Sequence, residues 1–191
     1  MGMQGVIGVY SKEGAATKTL HTLYGVQHRG QESSGVTAAS DNSLRTWKGR
    51  GLVSAVLDER YAAFSHPDDY VIIGSASGEN ADNGYAPFEV KEHDRYHFSL
   101  ALDGFFPDGS TINELVVKKT ILKHLAEGKE FVDALKATMK DHRDSYYCLV
   151  IAVWDIKEKK SMLIAARDER GVRPLYMARN HESFYFASES A

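Results

Sequence analysis

One cysteine, Cys148, is all that 191 residues contain, so no intrachain disulfide can form and the small disulfide-stapled secreted scaffolds are excluded. Proline is scarce at 4 residues, and no glycine- or serine-rich tract marks a linker or a low-complexity segment. Long apolar runs are missing too: none approaches the ~20 residues of a membrane-spanning helix. The opening stretch, MGMQGVIGVY, has neither the charged n-region nor the long apolar stretch of a secretory signal, so a cytoplasmic location is expected. Nor does one sign of charge prevail. The 23 basic and 26 acidic residues leave a net charge of -3 without a long run of either, which argues against a nucleic acid or an anionic membrane as partner. None of the 8 histidines stands at metal-ligand spacing from a cysteine or carboxylate, so neither a metal site nor a cofactor is expected.

What is present is a chain long enough to bury a substantial core, since domains of this size remove roughly 70% of their unfolded surface from water. One domain over residues 1–191 is the expectation. Residues 6–10 form a β-rich run, followed by turn chemistry at Ser11-Lys12-Glu13-Gly14 and a helix with Leu20, Leu23 and Tyr24 at i, i+3, i+4, stopping near Gly30. Residues 35–39 and 44–48 read as a hairpin around Ser40-Asp41-Asn42-Ser43, and Val71-Ile72-Ile73 as a buried strand. Tyr96, Phe98, Leu100 and Leu102 alternate with His97, Ser99 and Ala101, giving a strand with one strongly apolar face laid against a core. Thr111 to Glu114 spells a T-x-x-E capping box before a helix ending at Gly128, and a second helix spans residues 131–140. The rest is β again: 147–154, 161–166, and short runs at 175–177 and 184–187. Strands, then two helices, then strands is not βαβα alternation, so an α+β fold of mostly antiparallel sheets with helices outside is expected.

Four blocks carry a resemblance. His28-Arg29-Gly30-Gln31-Glu32-Ser33-Ser34-Gly35, led by Tyr24-Gly25-Val26-Gln27, is followed by Lys48-Gly49-Arg50-Gly51-Leu52-Val53-Ser54. Ala166-Arg167-Asp168-Glu169-Arg170-Gly171-Val172-Arg173-Pro174-Leu175 and Ala187-Ser188-Glu189-Ser190 come near the end. In this order they resemble the class II glutamine amidotransferase domain, closest to the N-terminal domain of the amidophosphoribosyltransferase family. The resemblance implies the four-layer αββα sandwich of N-terminal-nucleophile hydrolases. The family's phosphoribosyltransferase half is not expected within this sequence. Asp68-Asp69 precedes a β run instead of following one, so it does not read as a diphosphate-ribose loop.

The same resemblance implies that glutaminase chemistry is lost. The family's nucleophile is an N-terminal cysteine whose α-amine acts as base. Here Gln4-Gly5-Val6 stands where the family has Cys-Gly-Val, and a carboxamide is neither nucleophilic nor titratable. The family's oxyanion-hole Asn-Gly falls on Asp103-Gly104, where an ionised Asp only accepts hydrogen bonds. Its carboxylate-gripping arginine aligns with Ser77, and its amine-binding acid falls near Thr111-Ile112-Asn113-Glu114, after a segment that looks shortened. Cys148, on a β run, is expected to be buried and inert, not a replacement nucleophile.

Two functions from different classes follow. The first is an altered enzyme of purine nucleotide biosynthesis, most specifically the inosine monophosphate cyclohydrolase type of ring closure; an archaeal enzyme of that activity is similar in fold and does not use the family nucleophile. In this reading Asp103, Gln4 and Arg29 are the catalytic candidates. Arg29, Gly104, Arg173, Glu32 and Ser77 bind the substrate, with the arginines on its phosphate. The second is a regulatory or ligand-binding pseudoenzyme of purine or nitrogen metabolism. Both expect a small-molecule partner, with a purine-pathway nucleotide as the candidate, and a homo-oligomer fits either. Plainer roles stay open: Arg167, Asp168 and Arg173 as a structural ion-pair turn, Glu32 as a tie on the first helix, Gln4 as a strand end. Tyr146, Tyr147, Phe105 and Phe106 either stack on a base or fill the core. An aromatic, arginine-lined pocket would favour the enzyme, and a cleft filled by Phe105 and Phe106 would disfavour it.

Overall fold

The computed structural model describes residues 4–40, 42–58, 65–78, 86–107 and 113–190. Two antiparallel sheets lie face to face. The six-stranded sheet runs in the order β3 (Leu44–Arg50), β2 (Ser33–Ala39), β4 (Val71–Ser77), β1 (Gln4–Ser11), β10 (Ser183–Ala187) and β9 (Tyr176–Arg179). The four-stranded sheet runs β5 (Phe88–Val90), β6 (Tyr96–Phe105), β7 (Tyr146–Asp155) and β8 (Lys160–Arg167). Helices α1 (Ala15–Val26) and α2 (Val53–Leu57) cover the outside of the first sheet, while α3 (Asn113–Ala126) and α4 (Phe131–Asp141) cover the second. This is the expected α+β sandwich of four layers.

Side-chain alternation builds the layers. Along β1, Ile7 and Val9 pack beneath α1, while Val6 faces the other sheet. Along β7, Tyr147, Leu149, Ile151 and Val153 meet α3 and α4, while Cys148, Val150, Ala152 and Trp154 fill the seam between the sheets. β7 is buried on both faces, and from residue 147 to 154 it reads as a continuous hydrophobic run. The apolar face of β6 anticipated from sequence packs on the helices: Phe98 meets Phe131 of α4 edge-on, with ring centroids 5.2 Å apart. The opposite face of β6, bearing Ser99, Ala101 and Asp103, is the one that enters the seam, and all three are fully buried.

Two local expectations need correction. The buried stripe of α1 is Ala15, Ala16, Thr19, Leu23 and Val26, and Tyr24 points outward with its hydroxyl donating to Asp58 at 2.6 Å. The α-helix ends at Val26, and a 3-10 turn over Gln27–Arg29 carries the chain to Gly30. Also, Glu32 does not tie down the first helix: its exposed carboxylate lies 3.8 Å from Arg50 at the end of β3. Of the anticipated T-x-x-E box, Thr111 and Ile112 lie outside the described residues; Asn113 opens α3 and its side-chain amide donates to the Gly104 carbonyl at 2.9 Å, joining β6 to the helix.

The α3–α4 junction is held by charge. His124 sits between Glu127 Oε2 at 3.0 Å and Asp141 Oδ2 at 2.9 Å, and Lys129 bonds Glu127 as well. Hydrogen bonds from Lys129, then from His124, hold the Glu127 carboxyl down at about 2. A carboxyl depressed in the folded state stabilises it above the unfolded pKa of about 4.3, and that contribution disappears as pH falls toward the folded value. Urea unfolding followed between about pH 5 and 2 should therefore show a loss of stability that is smaller in Glu127→Gln. Identical pH profiles for the two proteins would show that the junction does not couple to folding.

Candidate functional site

At one end of the seam, β6 brings Asp103 into a fully buried position, and the chain around it supplies the counter-charges. Arg29, on the turn after α1, donates from Nη2 to Asp103 Oδ2 at 2.6 Å and from Nε to the Gln4 carbonyl at 3.1 Å. The backbone N–H of Gln4, the first residue of β1, donates to Asp103 Oδ1 at 3.3 Å. Arg173 comes within 3.9 Å of Asp103 Oδ2 from the loop between β8 and β9. Glu189 completes the outer side, 3.7 Å from Arg29 and 2.8 Å from His28. Both carboxylate oxygens of Asp103 are thus engaged, as a buried charge requires.

Backbone register sets the rest. Gln4 pairs with Ser77 across β1 and β4, and Ser77 pairs in turn with Ser33 of β2. Ser77 is therefore beside Gln4, and it is buried. The Gln4 carboxamide oxygen is buried with no hydrogen-bond partner among the described residues, leaving a polar acceptor in the strand-end position. Gly104 lies against β7 so tightly that a Cβ would fall 2.5 Å from the Tyr146 carbonyl oxygen. Of the residues anticipated from sequence, Asp103, Gln4, Arg29 and Arg173 come together, with Gly104 and Ser77 as backbone neighbours. Glu32 reaches the cluster only through its backbone, whose N–H donates to the Ser77 carbonyl at 2.9 Å, while its exposed carboxylate lies beside Arg50.

The anticipated ion-pair turn takes another form. The Asp168 carboxylate accepts the backbone N–H groups of Tyr147 (3.2 Å), Val172 (3.2 Å) and Arg173 (3.4 Å), so it fixes the loop and frees the Arg173 guanidinium to reach Asp103. Phe106 and Tyr147 are core residues, stacked with centroids 5.4 Å apart. Phe105, by contrast, is exposed and lines a cavity of ≈ 240 Å³ together with Tyr146, Val172 and Arg173. The cleft is an aromatic mouth with a guanidinium at its inner side, not a space filled by the two phenylalanines.

Glu189 was not singled out by sequence reasoning, although it lies in the last of the four blocks. The reason for that block is visible: the Ser188 N–H donates to the Val6 carbonyl at 2.9 Å and the Val6 N–H donates to the Ser188 hydroxyl oxygen at 3.1 Å, pinning the segment after β10 to β1. Cys148 pairs with Asp103 in the β6–β7 ladder and is fully buried. Burial first, then the negative charge of Asp103, pushes its thiol up to about 12, which is the opposite of nucleophile activation. An aromatic disulfide reagent at neutral pH should leave Cys148 unlabelled in the native protein and label it fully in denaturant; rapid native labelling would contradict the packing described.

Comparison with known proteins bears on this arrangement. Residues 120–191 match a family model described as a glutamine amidotransferase domain. The chain is 27% identical to the amidophosphoribosyltransferase of Methanocaldococcus jannaschii over 98% of its own length and 42% of the relative's. It is 30% identical to that of Pyrococcus horikoshii over the same shares. A solved Bacillus subtilis glutamine phosphoribosylpyrophosphate amidotransferase superposes with a TM-score of 0.80 at 22% identity, over 96% of this chain and 41% of that one. The chain folds as a class II glutamine amidotransferase domain. It spans about two fifths of the length of the relatives it matches. Within this amidotransferase-like domain no described helix is long and apolar enough to cross a membrane.

Proposed function

We propose that this amidotransferase-like domain does not hydrolyse glutamine and that its cleft takes an anionic, ring-bearing small molecule of purine biosynthesis. The observation that carries the reading is the buried Asp103, bonded to Arg29 at 2.6 Å and to the Gln4 N–H at 3.3 Å. Oxyanion stabilisation needs donors aimed at the developing charge, each worth about 2.7–4 kcal/mol. A carboxylate there repels that charge and also consumes the donors that could have met it. With glutamine in the strand-end position and the sole cysteine inert in the core, the site has no thiol to attack an amide.

The Phe105–Tyr146–Val172–Arg173 mouth supports a ligand with a planar ring and an anionic group, since aromatic faces stack on a ring and a guanidinium grips a phosphate. The specific reaction we put forward is closure of formamidoimidazole carboxamide ribonucleotide to inosine monophosphate. In it an amide nitrogen adds to the formyl carbon, a C–N bond forms, the C–O bond breaks and water leaves. Such a step requires orientation and proton transfer but no covalent enzyme intermediate.

A second reading, a regulatory module that binds without turnover, is favoured by the complete burial of Asp103 beneath Arg29 and Gln4, because a general base must come within hydrogen-bond reach of the substrate proton. Purified protein incubated with the formamidoimidazole nucleotide separates the two. Inosine monophosphate formation that falls in Asp103→Asn and Arg173→Ala would support ring closure. Saturable binding without product would support the module. Release of glutamate from glutamine in a parallel reaction would overturn the premise of both.

A further inference from the structure

The helix-covered side of β7 carries a second cleft, on the face of the strand opposite to the Asp103 site. Its volume is ≈ 750 Å³, within the range of small-molecule sites. Four cations line it: Lys136 and Lys140 on α4, Arg143 on the turn that follows, and Arg167 at the end of β8. Lys136 and Lys140 are one helical turn apart and so share a face. The turn is set by the Ser145 N–H, which donates to the His142 carbonyl at 3.0 Å and so places Arg143 on the rim.

Most of this charge is uncommitted. Among the described residues Lys136 has only a long exposed contact with Asp133, at 3.5 Å. The side chains of Lys140, Arg143 and Arg167 make no hydrogen bond or ion pair with any other described residue. The cleft also has two acidic residues, but Asp168 turns its carboxylate to three backbone N–H groups, leaving Glu169 as the one opposing charge. A further observation is independent of charge. Ser145 is 2% exposed, lines the cleft, and its hydroxyl is buried without a hydrogen-bond partner among the described residues. Buried hydroxyls are normally satisfied, and one left open beside unpaired cations suits an acceptor-rich ligand.

We infer that the cleft between the end of α4 and the end of β8 binds a phosphate- or diphosphate-bearing small molecule. Its phosphate oxygens are held by Lys140 and Arg143, with Arg167 at the edge of the cleft adding positive charge and the Ser145 hydroxyl donating from the floor. Met139 provides an apolar wall for an attached organic group. This goes beyond the proposed function, since neither glutamine chemistry nor ring closure involves this face. The coupling is nonetheless short. Asp168, which lines this cleft, is the residue that holds the Arg173 loop over Asp103.

Titration calorimetry of the full chain with inorganic pyrophosphate and with adenosine diphosphate, against inorganic sulfate at equal ionic strength, tests the site. Pyrophosphate, which has no ring for the aromatic mouth, should bind with one-to-one stoichiometry and sulfate far more weakly, and adenosine diphosphate should compete with pyrophosphate for this cleft. Removal of one charge-assisted contact in Arg143→Ala or Lys140→Ala should weaken them by about tenfold or more. Because both residues are exposed, these variants should fold as wild type does, and Ser145→Ala should weaken binding with charge unchanged. Arg173→Ala, on the other face, should leave pyrophosphate affinity intact. Binding lost in Arg173→Ala but kept in Arg143→Ala would put the ligand in the aromatic mouth and overturn the inference. Equal affinity for sulfate, or none for either phosphate, would overturn it as well.

Discussion

Replacing Arg29 by alanine should lower the unfolding free energy by about 3–5 kcal/mol, the cost of leaving one partner of a buried ion pair uncompensated. Asp103 has no exposed surface and accepts from Arg29 at 2.6 Å, while Arg173 at 3.9 Å is too distant to replace that hydrogen bond. Arg29 also donates to the Gln4 carbonyl, so its loss strips a bond from the start of β1. The loss should be mostly reversible by a second change. Arg29→Met with Asp103→Asn removes both charges and keeps a carbonyl oxygen for the Gln4 N–H, and it should recover most of the stability. Guanidinium unfolding midpoints for wild type, the single variant and the double variant supply the test. A double variant no better than Arg29→Ala would mean that the arginine acts through packing and not as counter-charge to Asp103.

Gly30→Ala is the second large effect. The backbone at Gly30 is extended, with φ -170° and ψ 131°, a conformation open to any residue, so the glycine is not there for its dihedral freedom. It is there for space. A Cβ would lie 2.2 Å from the Ser77 carbonyl carbon and 2.4 Å from the Gly78 nitrogen, both main-chain atoms that no rotamer change can move aside. The alanine variant should lose about 3 kcal/mol, the upper end of overpacking costs. It should also disturb the Gln4–Ser77 pairing that positions the site, seen as shifted amide resonances for β1 and β4. Stability within experimental error of wild type would show that the turn after α1 rides further from β4 than described.

The layered arrangement was legible because its signals are local. β7 is buried on both faces, and the apolar run at residues 147–154 says so without reference to any partner. The two outer helices announce themselves by spacing, as with Phe131, Ala134, Leu135 and Thr138. What escaped has no local signal. Helix α2 has five residues and no side-chain cap of its own; the N–H of Val53 is met by the Gln27 side chain from 26 positions away. β5 has three residues and is a strand only because β6 lies beside it. In α1 the apolar residues Leu20, Leu23 and Tyr24 suggested a stripe centred one position away from the real one, since Thr19 is buried and Tyr24 is not.

The site divides along the same line. Resemblance to amidotransferase domains drew attention to Gln4, Ser77 and Asp103, and the fold brings them to one end of the seam. Their energetics were not readable from the chain: the Arg29–Asp103 bond joins residues 74 apart, and Glu189 enters only because Ser188 is stitched to Val6. Asp168 was misread for a related reason. In sequence a carboxylate between arginines suggests ion pairing, whereas in the fold the nearest donors are three peptide N–H groups of a tight loop.

Within the apolar seam, Thr37 of β2 and Ser99 of β6 share a hydrogen bond of 2.8 Å, both wholly buried, and Thr46 of β3 meets the same Thr37 hydroxyl at 2.8 Å. Hydrophobic contact between two sheets has no preferred direction, so oily faces alone would let one sheet glide over the other by a fraction of a pleat. A directed hydroxyl pair works as a dowel through two boards. Asp103 follows Ser99 by two pleat repeats on the same face of β6, so the dowel that indexes the sheets also decides which carboxylate arrives under Arg29.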